Sequence, residues 1–474
     1  MNYTYTFLNQ VLFRYPKTTK QYWFCAVALI SCYLVGIVYW LCFFNGGNLS
    51  LNAYDWIKES AYLDTLRTTQ STGVIPWKWN VAFYHNTQKF LANPEIILTP
   101  DIVLLRWISN CRFIISHIII LYTIGFFGSL LIARKFKLSL VSLIFYLLVF
   151  NFNGYLTSHL AIGHFQWTGY FFLPFFFLIM FRFSKDSCQT SSLNKKYTIW
   201  MGVILGVLVL NGSFHIALWC SMFMLITLLW RWAIVYNIIV SIIIGGLLGA
   251  GRILPAYLFF PEKGSFISGY PSSGILFEAF TSHHVHDFKK LGVGAELLGW
   301  WEYDIFIGFA ALIIMIFCTI FAFKHIGVEY QGPMFISAGI FFLLSLGNVY
   351  SIISKIPVSF ANIERVSSRF IIMPFLLLLI ISARGIDELL RSGPKICKII
   401  ALILVPVVAV ELMIHSFLWK IDSIERSVQQ FAKPELSIIP YSDFSYALSV
   451  YSGWLVSLFT LLVLWIVIIF RKCR

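Results

Sequence analysis

Charge is what this chain has least of. Only 12% of its 474 residues are Asp, Glu, Lys or Arg, and the mean hydropathy is +0.80. A composition so short of charge excludes a soluble globular enzyme, a disordered chain and a nucleic-acid-binding domain, and leaves a protein of the lipid bilayer. The nine cysteines show no C-x-x-C spacing and sit mostly within apolar runs, so neither a disulfide framework nor a zinc site is implied. Ionisable residues are almost missing from those runs: Glu411, His117, His215 and His415 are the exceptions. An ion-coupled transporter needs acids or histidines at membrane depth, which weakens that class. No short repeat is present, which argues against a solenoid.

What the chain does have is long apolar segments. A span takes roughly 20 mostly apolar residues, and candidates fall at about 22–44, 113–133, 139–155, 166–181, 198–212, 215–230, 234–251, 305–323, 333–350, 370–383, 397–418 and 449–470. Backbone polar groups cannot go unpaired in hydrocarbon, so these runs must be helices. The expected fold is an all-α polytopic membrane protein of about 12 transmembrane helices, forming a single polytopic domain over 1–474. The first span is too long for a signal-peptide core and lacks a small-residue cleavage site, so it reads as permanent.

The basic residues fix the expected orientation. With the N-terminus cytoplasmic, the inner segments hold nineteen Lys and Arg against four acids, while the opposite side holds sixteen of each. The net charge of +14 is therefore a positive-inside signature. On this topology the inner connections are short and basic, and the polar mass faces outward in loops at 45–112 and 252–304, with shorter ones at 351–369 and 419–448. Asn48-Leu-Ser fits a glycosylation acceptor, a three-residue pattern of little specificity.

Candidate chemistry lies in those outer loops. If YDWIKESAYLDTLR is helical, Asp55, Glu59 and Tyr62 fall at i, i+4 and i+7, placing two carboxylates on one face of an interfacial amphipathic helix. Gly73 and Pro76 break that helix, and Trp77 and Trp79 read as interfacial anchors. The segment NTQKFLANPEIILTPDIVLL reads as a turn-rich stretch leading to a second interfacial helix. His159 and His164 fall near the outer ends of the third and fourth spans. In SHHVHDFKK, residues His283, His284, His286 and Asp287 form a possible divalent-metal cluster. Glu302 and Asp304 stand at a membrane boundary, where acids also suit an ordinary helix start. Arg365 and Arg369, four apart in ANIERVSSRF, can face one side at the mouth of a span, a geometry suited to a phosphate and equally to headgroup snorkelling.

The order Y-D…Y-L…L-R…T-G-V-I-P-W-K-W-N, F-L-A-N-P-E…T-P, G-H-F-Q-W…L-P, G-S-F-H, W-W-E-Y-D-I-F-I-G, R-V-S-S-R-F and A-R-G-I-D-E-L-L, spread over residues 50–391, resembles the bacterial YfhO-like and related proteins of the GT-C glycosyltransferase superfamily. Each piece is short and degenerate, so the resemblance rests on their sum. It implies a bacterial inner-membrane enzyme that moves a sugar from a polyprenyl-phosphate donor to a glycan, lipid or protein acceptor on the extracytoplasmic side. It places a functional acid in the first outer loop, at Asp55. Many relatives carry a D-x-x-x-Q or paired-acid arrangement, whereas here Glu59 and Asp64 follow, which leaves the choice of acid open. Displacing a polyprenyl phosphate needs a carboxylate base and cations for the leaving phosphate. Asp55 and Glu59 are the catalytic candidates, and Lys58, His164, Arg252, Glu302, Arg365 and Arg369 the substrate-binding ones. An O-antigen polymerase or ligase, a lipid or glycan flippase or transporter, and a non-catalytic assembly factor are the alternatives.

Overall fold

Each of the twelve apolar segments falls on a helix in the computed structural model, which describes residues 10–83, 87–186, 194–260, 266–284, 288–289, 298–325, 332–355, 364–427, 434–439 and 443–472. Length then separates them. Seven helices are long and apolar enough to cross a membrane: Thr19–Phe43, Asn110–Phe136, Leu140–Ala161, Phe165–Ser184, Ser367–Ser392, Lys395–Arg426 and Phe444–Val467. A bent pair, Trp232–Leu248 with Ala250–Phe259, makes an eighth if the two count as one span. Phe214–Trp230, Phe309–Lys324 and Gly332–Ser345 are shorter. Lys195–Leu210 has 16 residues, about 24 Å at 1.5 Å each, which falls short of a hydrocarbon core of about 30 Å. The count of about twelve spans is therefore corrected to seven or eight among the described residues. The protein is a predominantly helical membrane protein with little sheet.

The chain divides into two compact units, one of residues 1–49, 118–162 and 264–427, the other of 50–117, 163–263 and 428–474. In the first, Ile372–Ser392 is buried along most of its length and packs against Phe309–His325 and Leu140–Phe152. Thr19–Phe43 and Lys395–Leu418 are instead apolar on their exposed faces, with Trp23, Ile403 and Phe417 outward. Such helices suit lipid on one side. Thr18 and Gln21 close a reciprocal capping box at the start of Thr19–Phe43. Asp387 accepts from the Ser139 amide and pairs with Arg391 at 2.5 Å, so one buried carboxylate fastens the turn before Leu140–Phe152 to the end of Ile372–Ser392.

In the second unit, Lys195–Leu210 and Val235–Leu248 approach closely at Gly202 and Gly206 of the first and at Gly245 and the capping Gly249 of the second, a Gly-x-x-x-Gly pattern the apolar reading alone passes over. A Cβ on Gly202 would meet Ile244, and one on Gly245 would meet Leu205. Small residues at this spacing let backbones pack by van der Waals contact where water cannot drive association. The helix then turns by 78° at Gly249 into Ala250–Phe259, so residues 252–259 are helix and not the beginning of a loop. A small antiparallel sheet, in the order Thr87–Lys89, Lys78–Phe83, Ile438–Ile439, completes the unit beside the helix Trp56–Thr72.

Gly202→Val and Gly245→Val should each destabilise the protein by about 1–3 kcal/mol through overpacking. Thermal unfolding in detergent checks this, and an unchanged midpoint in both variants would refute the close packing.

Candidate functional site

The helix Trp56–Thr72 forms as its spacing predicts, with the Glu59 amide donating to the Asp55 carbonyl. Its surroundings are not those of an interfacial helix. Trp56, Lys58, Glu59, Ser60, Ala61, Tyr62, Leu63, Thr65 and Leu66 are all buried, so the first three turns are enclosed on nearly every side. Trp79 is not a membrane anchor either. It is buried, its indole donates to Thr65 Oγ1 at 3.0 Å, and it stacks on Tyr62 at a centroid separation of 5.8 Å.

Enclosure brings the carboxylate face into contact with protein. Lys58 Nζ lies 3.0 Å from Asp55 Oδ2, 2.7 Å from Glu95 Oε2 and 3.7 Å from Glu59 Oε1, and its side chain is 2% exposed. Burial works against the ammonium, but Asp55, Glu95 and Glu59 around it hold its pKa well above the usual lysine range. Burial, reinforced by Glu95 and Asp55 and opposed by Lys58, pushes the Glu59 carboxyl well above the usual carboxylate range. One lysine thus neutralises Asp55 and Glu95 in part, and Glu59 holds its proton more tightly than a solvated carboxyl does.

Glu95 is the member that sequence reading missed. It lies in a turn that reads only as chain returning to the membrane; the Asn93-Pro94-Glu95 triplet was its one local signal. Asn93 orders this turn, donating to the Tyr62 hydroxyl at 2.5 Å and accepting from the Glu95 amide at 3.0 Å. Arg252 holds it from the other side. Its buried guanidinium donates to the carbonyls of Leu91, Asn93 and Ile96, so it positions the Glu95 turn and is not presented to a phosphate.

Asp55 is the accessible acid. Its side chain is 28% exposed, against 3% for Glu59 and 9% for Glu95. Oδ2 faces both Lys58 Nζ and His164 Nε2, the latter at 3.5 Å, while Oδ1 has no polar partner among the described residues. The backbone leading to it is strained: Leu51 and Tyr54 have φ of 56° and 49°, a left-handed region that costs a non-glycine residue about 1 kcal/mol or more. The His164 loop docks on the same place. Gly163, at φ 92°, lies so close to the Asp55–Trp56 backbone that a Cβ would strike the Trp56 amide nitrogen. Asp64, the third first-loop acid, points elsewhere, accepting from Asn110 Nδ2 at 2.8 Å.

The remaining candidates fall in the other compact unit. Glu302 grips Arg369 with both oxygens at 2.8 Å, and Glu364 takes a third contact at 3.0 Å. An arginine already holding two carboxylates is not a free cation for phosphate. The chain is extended at Val366 and becomes helical only at Ser367, so Arg365 and Arg369 do not share a helix face; Arg365 is exposed on the preceding bend. Asp304 Oδ2 lies 3.0 Å from His415 Nε2, both fully buried, and His415 Nδ1 is 3.4 Å from His283 Nδ1. His284 turns instead to Glu278 at 3.6 Å. His286 and Asp287 lie outside the described residues, and among those described no group of three His, Cys, Asp or Glu is arranged to hold a metal ion. His159 is buried beside Tyr155.

No family model matches the chain, and a search of curated proteins finds no match.

Removing Lys58 strands two charges in a buried site, so Lys58→Met should cost about 3–5 kcal/mol. Chemical denaturation in detergent measures it, and a loss below about 1 kcal/mol would show that the cluster is solvated. Glu59 gives a pH signature. Its folded-state pKa is raised, so the native state keeps a proton that the unfolded chain releases at about pH 4.3. Its contribution to stability is full below that pH and fades as pH rises through the native value. Glu59→Gln should therefore gain on wild type as pH rises above about 4.3; parallel melting curves across that range would refute the assignment.

Proposed function

We propose that this protein transfers a sugar from a polyprenyl-phosphate donor to an acceptor hydroxyl on the extracytoplasmic side of a bacterial inner membrane, with Asp55 as the general base. The reading includes a GT-C-like arrangement with a cytoplasmic N-terminus. One observation carries it: of the three acids around Lys58, only Asp55 is accessible, with one carboxylate oxygen held and the other open.

The chemistry follows from that geometry. Asp55 Oδ1 takes the proton of the acceptor hydroxyl as its oxygen bonds to the anomeric carbon. The bond from that carbon to the phosphate oxygen breaks, and the polyprenyl phosphate leaves with inversion. Lys58 and His164 fix the orientation of Asp55 through Oδ2, which keeps the base aligned without a conformational search. Glu59, enclosed beside Lys58, is out of an acceptor's reach and serves the electrostatics of Lys58. Lys58, Arg252 and Arg369 are engaged within the protein and are not assigned to the phosphate.

Purified protein is incubated with polyprenyl-phosphate sugars and a cell-envelope acceptor extract. Wild type should transfer sugar, Asp55→Asn should lose activity by about 10²-fold or more, and Glu59→Gln should stay within about tenfold of wild type. Equal activity in wild type and Asp55→Asn would remove Asp55 from the mechanism. Movement of labelled lipid across a reconstituted bilayer without transfer would replace the reading by a flippase.

A further inference from the structure

A groove of about 750 Å³ runs along a second face of the helix Trp56–Thr72, entirely within the same compact unit. One wall is the stripe from Ile57 through Ala61, Asp64 and Thr68 to Thr72, which recurs every three or four residues as one helix face must. Fifteen residues of rise make that wall about 22 Å long, longer than a single sugar ring. The other wall is the segment Pro434–Ile438. Asn80 fixes it in place, donating to the Glu435 carbonyl and accepting from the Ser437 amide at 3.0 Å, while the strand pairing of Trp79 with Ile438 anchors its end.

The hydrogen-bonding character of the groove is one-sided. Thr68 Oγ1 donates to the Asp64 carbonyl at 2.9 Å and Thr72 Oγ1 to the Thr68 carbonyl at 2.7 Å, so the two exposed threonine hydroxyls of the helix wall have spent their protons on the helix, and Thr68 offers lone pairs outward while Thr72 also accepts from the Val74 amide. Asp64 adds a carboxylate that is 52% exposed, and Glu435 a second acidic side chain. Between these acceptors lie Ile57, Ala61 and Leu436. A wall of acceptors with aliphatic patches wants a ligand rich in donors that also carries C–H faces. It repels phosphates and uronic acids.

The geometry points to a binding site for a neutral oligosaccharide, the part of the acceptor glycan remote from the reacting hydroxyl. A pyranose supplies several O–H donors around an apolar ring face, and a chain of them matches the length of the stripe. Asp55 stands just before the first turn of this helix, roughly two-fifths of a turn round from the stripe. A glycan lying along the groove therefore ends near the helix terminus that carries the base. Binding energy taken from remote sugars is how a transferase selects its acceptor. The acceptor role rests on the glycosyltransferase reading; the binding of neutral glycan does not.

Binding is measured by calorimetry on the full-length protein in detergent, using neutral glucose and N-acetylglucosamine oligomers from monosaccharide to hexasaccharide, with oligogalacturonate and oligolysine as charged probes. Affinity should rise with neutral chain length. Thr68→Trp, an exposed substitution that fills the groove, should weaken it at least tenfold with an unchanged melting midpoint, and Asp55→Asn should bind as wild type does. In the transfer assay Thr68→Trp should raise the acceptor KM at least tenfold with kcat nearly constant. Absence of binding, no dependence on length, preference for oligolysine, or wild-type affinity in Thr68→Trp would each overturn the groove. Glycan binding that Thr68→Trp abolishes, in a protein that transfers no sugar, would leave the groove standing and remove only the transferase.

Discussion

One ammonium among three carboxylates sets the terms for the first long polar loop. Lys58 is buried where a charge costs several kcal/mol to place, and it is tolerated because Asp55, Glu95 and Glu59 surround it. The Glu95 turn must then be held in register with the helix, which the Asn93 side chain and the Arg252 guanidinium do. Arg252 reaches that turn from the segment after the 78° break at Gly249. The bend, the turn and the helix thus meet around one charge.

The two charged networks make a useful contrast, each taken within its own unit. Around Arg369 the acids are buried and the guanidinium is saturated by good geometry, an arrangement that specifies structure. Around Lys58 one acid is left half open, the backbone before it is strained at Leu51 and Tyr54, and a glycine loop brings a histidine to it. Buried ion pairs are weak contributors to net stability, and strain stored beside an accessible group marks function more often than packing. That asymmetry favours Asp55 over the arginine cluster for the role of the proposed base.

Positions of helices were legible because apolar runs report them directly. Lys195–Leu210 and Gly332–Ser345 are helical where the runs place them, and only their lengths mislead, since hydropathy cannot distinguish a span from a shorter buried helix. Asp55, Lys58, Glu59 and His164, named from one loop and one distant motif, do meet. What periodicity could not show was the covering of the helix Trp56–Thr72. The groups that enclose it come from residues 79, 90–106 and 163–165, contacts with no trace in local spacing. Trp79 reads as an interfacial anchor for the same reason, because amphipathic indoles serve both places. Arg252 has the charge that a phosphate site wants, yet three carbonyls far earlier in the chain engage it.

Enclosure also explains why a single helix can serve two purposes. A helix on the membrane surface has one solvated face, and acids there are indistinguishable from any polar coat. Burying the first three turns reduces that ambiguity, because a polar atom kept out of water costs free energy unless it is paired. On one face the polar atoms converge on Lys58 and leave Asp55 Oδ1 open. On the other, hydroxyls spend their protons on the backbone and turn acceptors into a groove. The stretch that follows the first span keeps its polar residues because each face of its helix presents a different set of acceptors, one around Lys58 where a proton would be taken and one of hydroxyls and carboxylates where hydroxyl donors would be bound.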